Sequence, residues 1–325
     1  MKWQGRRQST NVNDARGRRT GGSRGMQVGG GLSGGALILV LIITLLTGGN
    51  PLSFLGLGGE GVAAPDNNTG GSYQETPEEK ERREFLSVVL AETEDTWTGI
   101  FEDMGRTYNP ATLTIFSGSV QSACGTASSA VGPFYCGLDK NVYIDTDFFD
   151  QLSGELGAGG DFAMAYVLAH EIGHHIQNEL GIMEQVNRAQ QNASEAERND
   201  LSVRLELQAD YLAGVWGHYA DRAGILEEGD IEEAMRATQA IGDDTLQKQA
   251  QGYVVPDSFT HGTSAQRTRW YLKGFKSGDL SGWDTFSAAS SEDLRVLPED
   301  FFAFLQTLAI DEGYYLAAPV YRTGP

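Results

Sequence analysis

Asp161-Phe-Ala-Met-Ala-Tyr-Val-Leu-Ala-His170-Glu171-Ile-Gly173-His174-His-Ile-Gln-Asn-Glu-Leu-Gly181 is the stretch on which the reading of this chain turns. A glycine-rich break at residues 157–160 precedes it, Asp161 can cap it and Gly181 can stop it, so the pattern predicts a helix over residues 162–180. One turn separates His170 from His174, which puts both imidazoles on one face. Two rings so placed can grip one Zn2+, and Glu171 beside them can take a proton from a water that the ion activates. Gly173 costs about 1 kcal/mol of helix stability against Ala, and leaves room on this face for a second backbone or a metal. A metal-free pair of hydrogen-bonded histidines is the competing reading.

A catalytic zinc takes three protein ligands and keeps one position open. His218, His261 and the carboxylates are candidates for the third. The best placed is Glu206, in Leu205-Glu-Leu-Gln-Ala-Asp210. Ser194-Glu-Ala-Glu197 is a capping box that starts a helix reaching about Arg222. On it Asn199, Ser202, Glu206, Asp210, Ala213 and Gly217 form a small polar strip among Leu201, Leu205, Leu207, Tyr211, Leu212, Val215 and Trp216. A helix apolar on so many sides is a buried one, and buried carboxylates need partners that offset desolvation. Zn2+ suits Glu206, and the free N–H of a ligand histidine suits Asp210. The alternative is an exposed Glu206 and a capping or salt-bridged Asp210.

The other histidines stand apart. His175 is rotated about 100° from His174 and reads as structural. His218 lies off the Glu206 strip and reads as a core hydrogen-bonding group. His261 sits in a Gly/Ser/Thr loop, where it can donate to the oxyanion of a tetrahedral intermediate or serve as a cap. Tyr166 and Tyr253 are weaker candidates for the donor.

Around this centre the chain reads as α+β: a mostly helical, zincin-like domain with a small sheet near its start, preceded by one transmembrane helix. Thr76-Pro77-Glu78-Glu79 is a capping box opening a helix to about Met104. Residues 111–116 and 142–145 are strand candidates. The second reads as an interior strand, with an edge that pairs an extended substrate as the alternative. Further helical stretches are expected at 230–250 and 263–277.

Charge is unevenly spread over the 325 residues, whose formal net charge is −20. Residues 1–31 carry seven basic side chains and one acid, so the body is more acidic than the whole. An acidic body excludes nucleic acid as the main partner. Residues 1–27 read as a disordered basic cytoplasmic arm. Residues 28–47 hold no charge, reach bilayer length and read as a single transmembrane helix. The basic flank then stays cytoplasmic and the body lies outside. A cleaved signal peptide is the rival. Residues 48–75 read as a flexible linker, 76–286 as the zinc-binding domain, and 287–325 as an extension packed on it. Outside the cytoplasm, Cys124 and Cys136 are expected to pair in a disulfide closing a short loop, with two buried thiols as the alternative.

The pattern His-Glu-x-x-His followed by Glu-x-x-x-Asp resembles that of the Glu-liganded zinc peptidases, the gluzincins. More narrowly the chain resembles the bacterial family of putative neutral zinc metallopeptidases. The resemblance rests on the basic Gly-rich N-terminus and anchor, Gly132-Pro-Phe-Tyr-Cys136, Val142-Tyr-Ile-Asp145, residues 170–177, Leu205 to Asp210, and Ser258-Phe-Thr-His-Gly-Thr-Ser264. It covers roughly residues 1–285. It implies a membrane-anchored zinc metalloendopeptidase acting on peptides or proteins. It further implies zinc held by His170, His174 and Glu206, Glu171 as general base and then acid, and Asp210 orienting His170. A catalytically silent, zinc-stabilised binding module is the alternative. Glu171 speaks against it, because a structural site has no need of a base.

Overall fold

The computed structural model describes residues 1–17 and 73–286. The apolar run at 28–47, nearly all of the expected linker and the extension 287–325 lie outside the described residues. In chain order the strands are β1 (Val12–Asp14), β2 (Thr112–Phe116), β3 (Ser119–Ser122), β4 (Gly125–Ser128), β5 (Phe134–Cys136) and β6 (Asn141–Asp145). The helices are α1 (Pro77–Asp103), α2 (Asp147–Gly154), α3 (Asp161–Glu179), α4 (Ile182–Gln190), α5 (Glu195–Arg222), α6 (Asp230–Ala240), α7 (Asp243–Gln251) and α8 (Ser264–Ser277). The fold is α+β, mostly helical with a small sheet.

Helix α3 runs through the core, with α1, α5, α6 and the sheet around it. The four-stranded sheet has the order β1-β2-β6-β5. β1, β2 and β6 are parallel and β5 is antiparallel to β6. The period of two sorts its side chains. Leu113, Ile115, Val142 and Ile144 enter the helical core, whereas Phe116, Phe134, Cys136 and Tyr143 form a second cluster that includes Val120 and Ala127 of the β3–β4 hairpin. A Cys124–Cys136 disulfide joins that hairpin to β5. Residues 142–145 thus form an interior strand, and β5 takes the sheet edge.

Two capping boxes start α1 and α5 as the sequence predicts, at Thr76/Glu79 and Ser194/Glu197. Three local expectations change. Gly160, not Asp161, occupies the cap position of α3, and the Asp161 carboxylate is used elsewhere. The helix expected from residue 263 begins at Ser264, with Thr263 as its cap in a box with Gln266. The expected helix over 230–250 is two helices with a break at Gly242, where a Cβ would come within 2.3 Å of the Ser264 nitrogen.

The larger correction concerns the N-terminus. Residues 1–17 are not a disordered arm. The Met1 amine lies 2.8 Å from Asp161 and 3.1 Å from Glu227. Trp3 meets Phe85 edge-on at 5.5 Å. Arg6 pairs with Glu92 and Arg7 with Glu94 and Asp95. Val12, Asn13 and Asp14 add a parallel strand beside Leu113, Thr114 and Ile115. Basic composition reads as disorder only when the acids that match it are far away in sequence; here they lie some eighty residues on. At the far end of this segment Arg16 is ion-paired with Glu75 and stacked over Tyr73, so the two flanks of residues 18–72 meet.

This packing bears on the expected anchor. Among the described residues no helix is long and apolar enough to cross a membrane. One crossing between residues 17 and 73 would put β1 and β2 on opposite faces of a bilayer. The pairing of β1 with β2 puts residues 1–17 beside the body, and the expected anchor at 28–47 lies outside the described residues.

Candidate metal centre

The site is built where α3 and α5 cross. Gly173 makes the approach possible: a Cβ there would meet the Ala209 carbonyl at 2.8 Å and its Cα at 3.0 Å. Of the two uses the sequence allowed for this glycine, the room is taken by backbone. Across the crossing, His170 Nε2 lies 3.1 Å from Glu206 Oε2, and His174 Nε2 lies 3.4 Å from Glu206 Oε1. The two rings stand edge-to-face with centroids 4.9 Å apart. Ligand atoms of all three residues fall within 4.8 Å of one another. A tetrahedral ion with bonds of about 2.0–2.1 Å requires donors about 3.3 Å apart, so the spacing and the N,N,O donor set both fit Zn2+.

The remaining ring nitrogens are held from behind. His170 Nδ1 lies 2.9 Å from Asp210 Oδ1, and His174 Nδ1 lies 2.9 Å from Gln177 Oε1. Gln177 in turn donates to the Leu205 carbonyl, one residue before Glu206. Asp210 is fully buried, accepts from Tyr166 and Arg267, and is ion-paired with the Arg267 guanidinium.

Electrostatics follow from this crowding of buried charge. Burial alone would lower His170, but Asp210 and Glu206 outweigh it and raise its pKa to about 9. His174 is also raised, burial being outweighed by Glu206. Burial raises Glu171, against the pull of the two histidines. Burial would also raise Glu206 and Asp210, yet His174 and His261 hold the first well below the ordinary carboxylate range and Arg267 with His170 lowers the second.

His261 reaches the site from the loop before α8. Asp243 Oδ2 accepts the backbone N–H groups of Thr260, His261 and Gly262, while its Oδ1 lies 3.2 Å from His261 Nδ1. His261 Nε2 is buried and has no hydrogen-bond partner. A buried polar atom so left is costly unless something else fills its need.

Several candidates fall elsewhere. His175 bridges Tyr135 of β5 to the Asn109 carbonyl. His218 bonds the Phe275 carbonyl, 2.9 Å away. The Tyr166 hydroxyl is committed to Asp210, behind the ligand rather than in front of it. Tyr253 is 62% exposed on the loop after α7. Three residues escaped the sequence reading: Arg267, Gln177 and Asp243. Gln177 follows His174 by three residues, which puts it on the same face of α3 and beside that ring. Arg267 carried no separate signal, because Arg269, Lys273 and Lys276 lie on the same helix and only the fold shows which cation is buried.

Residues 1–286 match the family model described as putative neutral zinc metallopeptidase. The chain is 50% identical over 289 residues to the uncharacterized protein YpfJ of Escherichia coli strain K12, spanning 88% of this chain and 99% of that protein. It is 43% identical over 216 residues to the uncharacterized protein Mb2605 of Mycobacterium bovis, spanning 63% of this chain and 72% of that one. No solved structure matches. The family match begins at residue 1, so it takes in the packed N-terminal segment, and it stops where the described residues stop.

Proposed function

The chain belongs to the family of putative neutral zinc metallopeptidases, and we propose that it hydrolyses peptide bonds in a peptide or protein substrate. The observation that carries this reading is the meeting of His170, His174 and Glu206 at one buried point, with Glu171 beside them. His170, His174 and Glu206 would hold the zinc. When bound, zinc supplies Lewis acidity that polarises the scissile carbonyl and makes water a better nucleophile.

The chain's own groups do the rest. Glu171 takes the proton of the attacking water on its carboxylate and passes it to the leaving amine. Burial raises its pKa, which suits a group that must both accept and release a proton near neutrality. Asp210 and Gln177 fix the rings of His170 and His174 so that each turns Nε2 toward Glu206. Asp243 fixes the His261 ring through Nδ1 and leaves Nε2 without a partner; with both ring nitrogens protonated, Nε2 would donate to the developing oxyanion. β5, at the edge of the sheet, offers an extended substrate backbone a strand to pair with. Its Tyr135 hydroxyl is bonded to His175 and Asn178 of α3, which ties that edge to the metal helix.

The disulfide supports an oxidising compartment for the body. We place residues 1–17 on that same side, and the contact with the membrane in the apolar residues 28–47, with both flanks left together.

The test is Glu171→Gln in protein loaded with zinc, assayed on a peptide library with and without chelator. The expected result is one retained zinc per chain and a loss of turnover of roughly 10²–10⁴-fold. Unchanged proteolysis in this variant, or proteolysis by the wild type that a chelator leaves untouched, defeats the proposal.

A further inference from the structure

Arg267 is buried to 2% exposure on the first turn of α8, and nothing in the peptidase chemistry calls for a cation there. Its position is set by an intimate crossing of α8 with α5. A Cβ on Gly214 would come within 1.9 Å of the Tyr271 carbonyl, and one on Gly274 within 1.9 Å of the Tyr211 carbonyl. That contact brings the guanidinium onto Asp210 as a fork: Nε lies 2.9 Å from Oδ2 and Nη2 lies 3.0 Å from Oδ1. Nη2 also lies 3.2 Å from the Tyr166 hydroxyl, and Nη1 lies 3.4 Å from the Ile241 carbonyl, two residues before the Asp243 that holds His261.

We infer that Arg267 is a positioning residue for the metal centre, acting on His170 through Asp210. The inference rests on the zinc reading above. With both carboxylate oxygens gripped, Asp210 cannot rotate, and Oδ1 is left facing His170 Nδ1. That contact keeps the Nδ1–H tautomer and turns Nε2 toward Glu206. The charges point the same way. Glu171, Glu206 and Asp210 contribute three negative charges to a desolvated space, and Arg267 offsets one, so a divalent cation between neutral imidazoles brings the sum to zero. A lysine at 267 would keep the charge but lose the planar fork. A neutral residue would leave Asp210 a buried carboxylate with no cation on it.

The experiment measures zinc affinity by chelator competition in wild type, R267K, D210N and the double variant D210N/R267M, with the fold of each checked by circular dichroism. The double variant is included because R267M alone strands a buried charge and can fail to fold. R267K should bind zinc about tenfold more weakly than wild type while remaining folded, and D210N roughly 10–100-fold more weakly. Adding R267M to D210N should cost at most about twofold more, because the two closest guanidinium bonds are to Asp210 and the direct approach of Nη2 to His170 Nδ1 is longer, at 3.4 Å. Wild-type affinity in R267K, or a larger further loss in the double variant, overturns the inference. Absence of zinc binding by the wild type itself defeats the metallopeptidase reading and takes this inference with it.

Discussion

The two ends of α3 carry clusters that look alike in outline. At its start Asp161 lies with Asp230 and Glu233, and in its second half His170 and His174 lie with Glu206. Each group brings three ligand atoms within 4.8 Å. Their chemistry differs. The first is all carboxylate and partly solvated, and the Met1 amine lies against it, 2.8 Å from Asp161 and 3.4 Å from Asp230. The second is desolvated, has two imidazoles, and has a partner behind each ring. Nearness of ligand atoms is common to both, so nearness does not make a metal site. Nitrogen donors, exclusion of water and fixed orientation separate the second from the first.

The sharpest way to break this comparison is to remove the third ligand. Glu206→Ala should reduce zinc from one per chain to near none by calorimetric titration, whereas Asp161→Asn combined with Asp230→Asn should leave the stoichiometry unchanged. Loss of zinc in the second variant would place the ion at the wrong end of α3. An all-or-none result is also expected from labelling with a membrane-impermeant thiol reagent. Cysteines placed at Thr10 and Glu102, both exposed, should label from the same side of the membrane in intact cells. Labelling from opposite sides would rule out the docked N-terminus.

Smaller effects refine the contrast. Gly173→Ala gains helix propensity but drives a methyl into the Ala209 backbone. It should lower stability by about 1–3 kcal/mol in chemical denaturation, and weaken zinc by pushing Glu206 away. The pH dependence separates the two clusters. In metal-free protein the folded pKa of His170 is raised from 6.5 to about 9, so its stabilisation is full below 6.5 and is lost as pH rises through 9. The Met1 amine is raised from 8.0, with Asp161 and Asp230 outweighing burial, so its contribution is lost only above pH 8. Thermal melts in chelator should therefore fall from pH 6.5 upward. Zinc-loaded protein should hold its melting temperature until the amine titrates; a parallel fall in both forms would argue against zinc on His170. Smallest is the stability cost of neutralising Asp161 and Asp230, about 1 kcal/mol at low salt and less at 1 M, because that ion pair is partly solvated.

Local signals were legible where the physics is local. Capping boxes at Thr76 and Ser194, the period of β2 and β6, and the one-turn spacing of His170 and His174 depend on neighbours within a few residues. The polar strip on α5 was legible too, because a carboxylate on an apolar helix poses a question that only a buried partner answers. The disorder assigned to residues 1–17 failed for the opposite reason. Arg6, Arg7 and Trp3 are indistinguishable from a solvated tail until Glu92, Glu94 and Phe85 are brought alongside. Splitting the stretch over 230–250 likewise needed Ser264 pressed against Gly242.

By itself the sequence determined the α+β class, the helix that carries His170, Glu171 and His174, and the residue types able to complete a zinc site. Only the tertiary structure decided which glycine lets α3 and α5 touch, that Arg267 and Gln177 stand behind the ligands, and that the first seventeen residues add an edge strand to the sheet. The reason is range. Helix spacing and caps are written in neighbouring residues, whereas desolvation and the pairing of buried charges depend on segments that only the fold brings together.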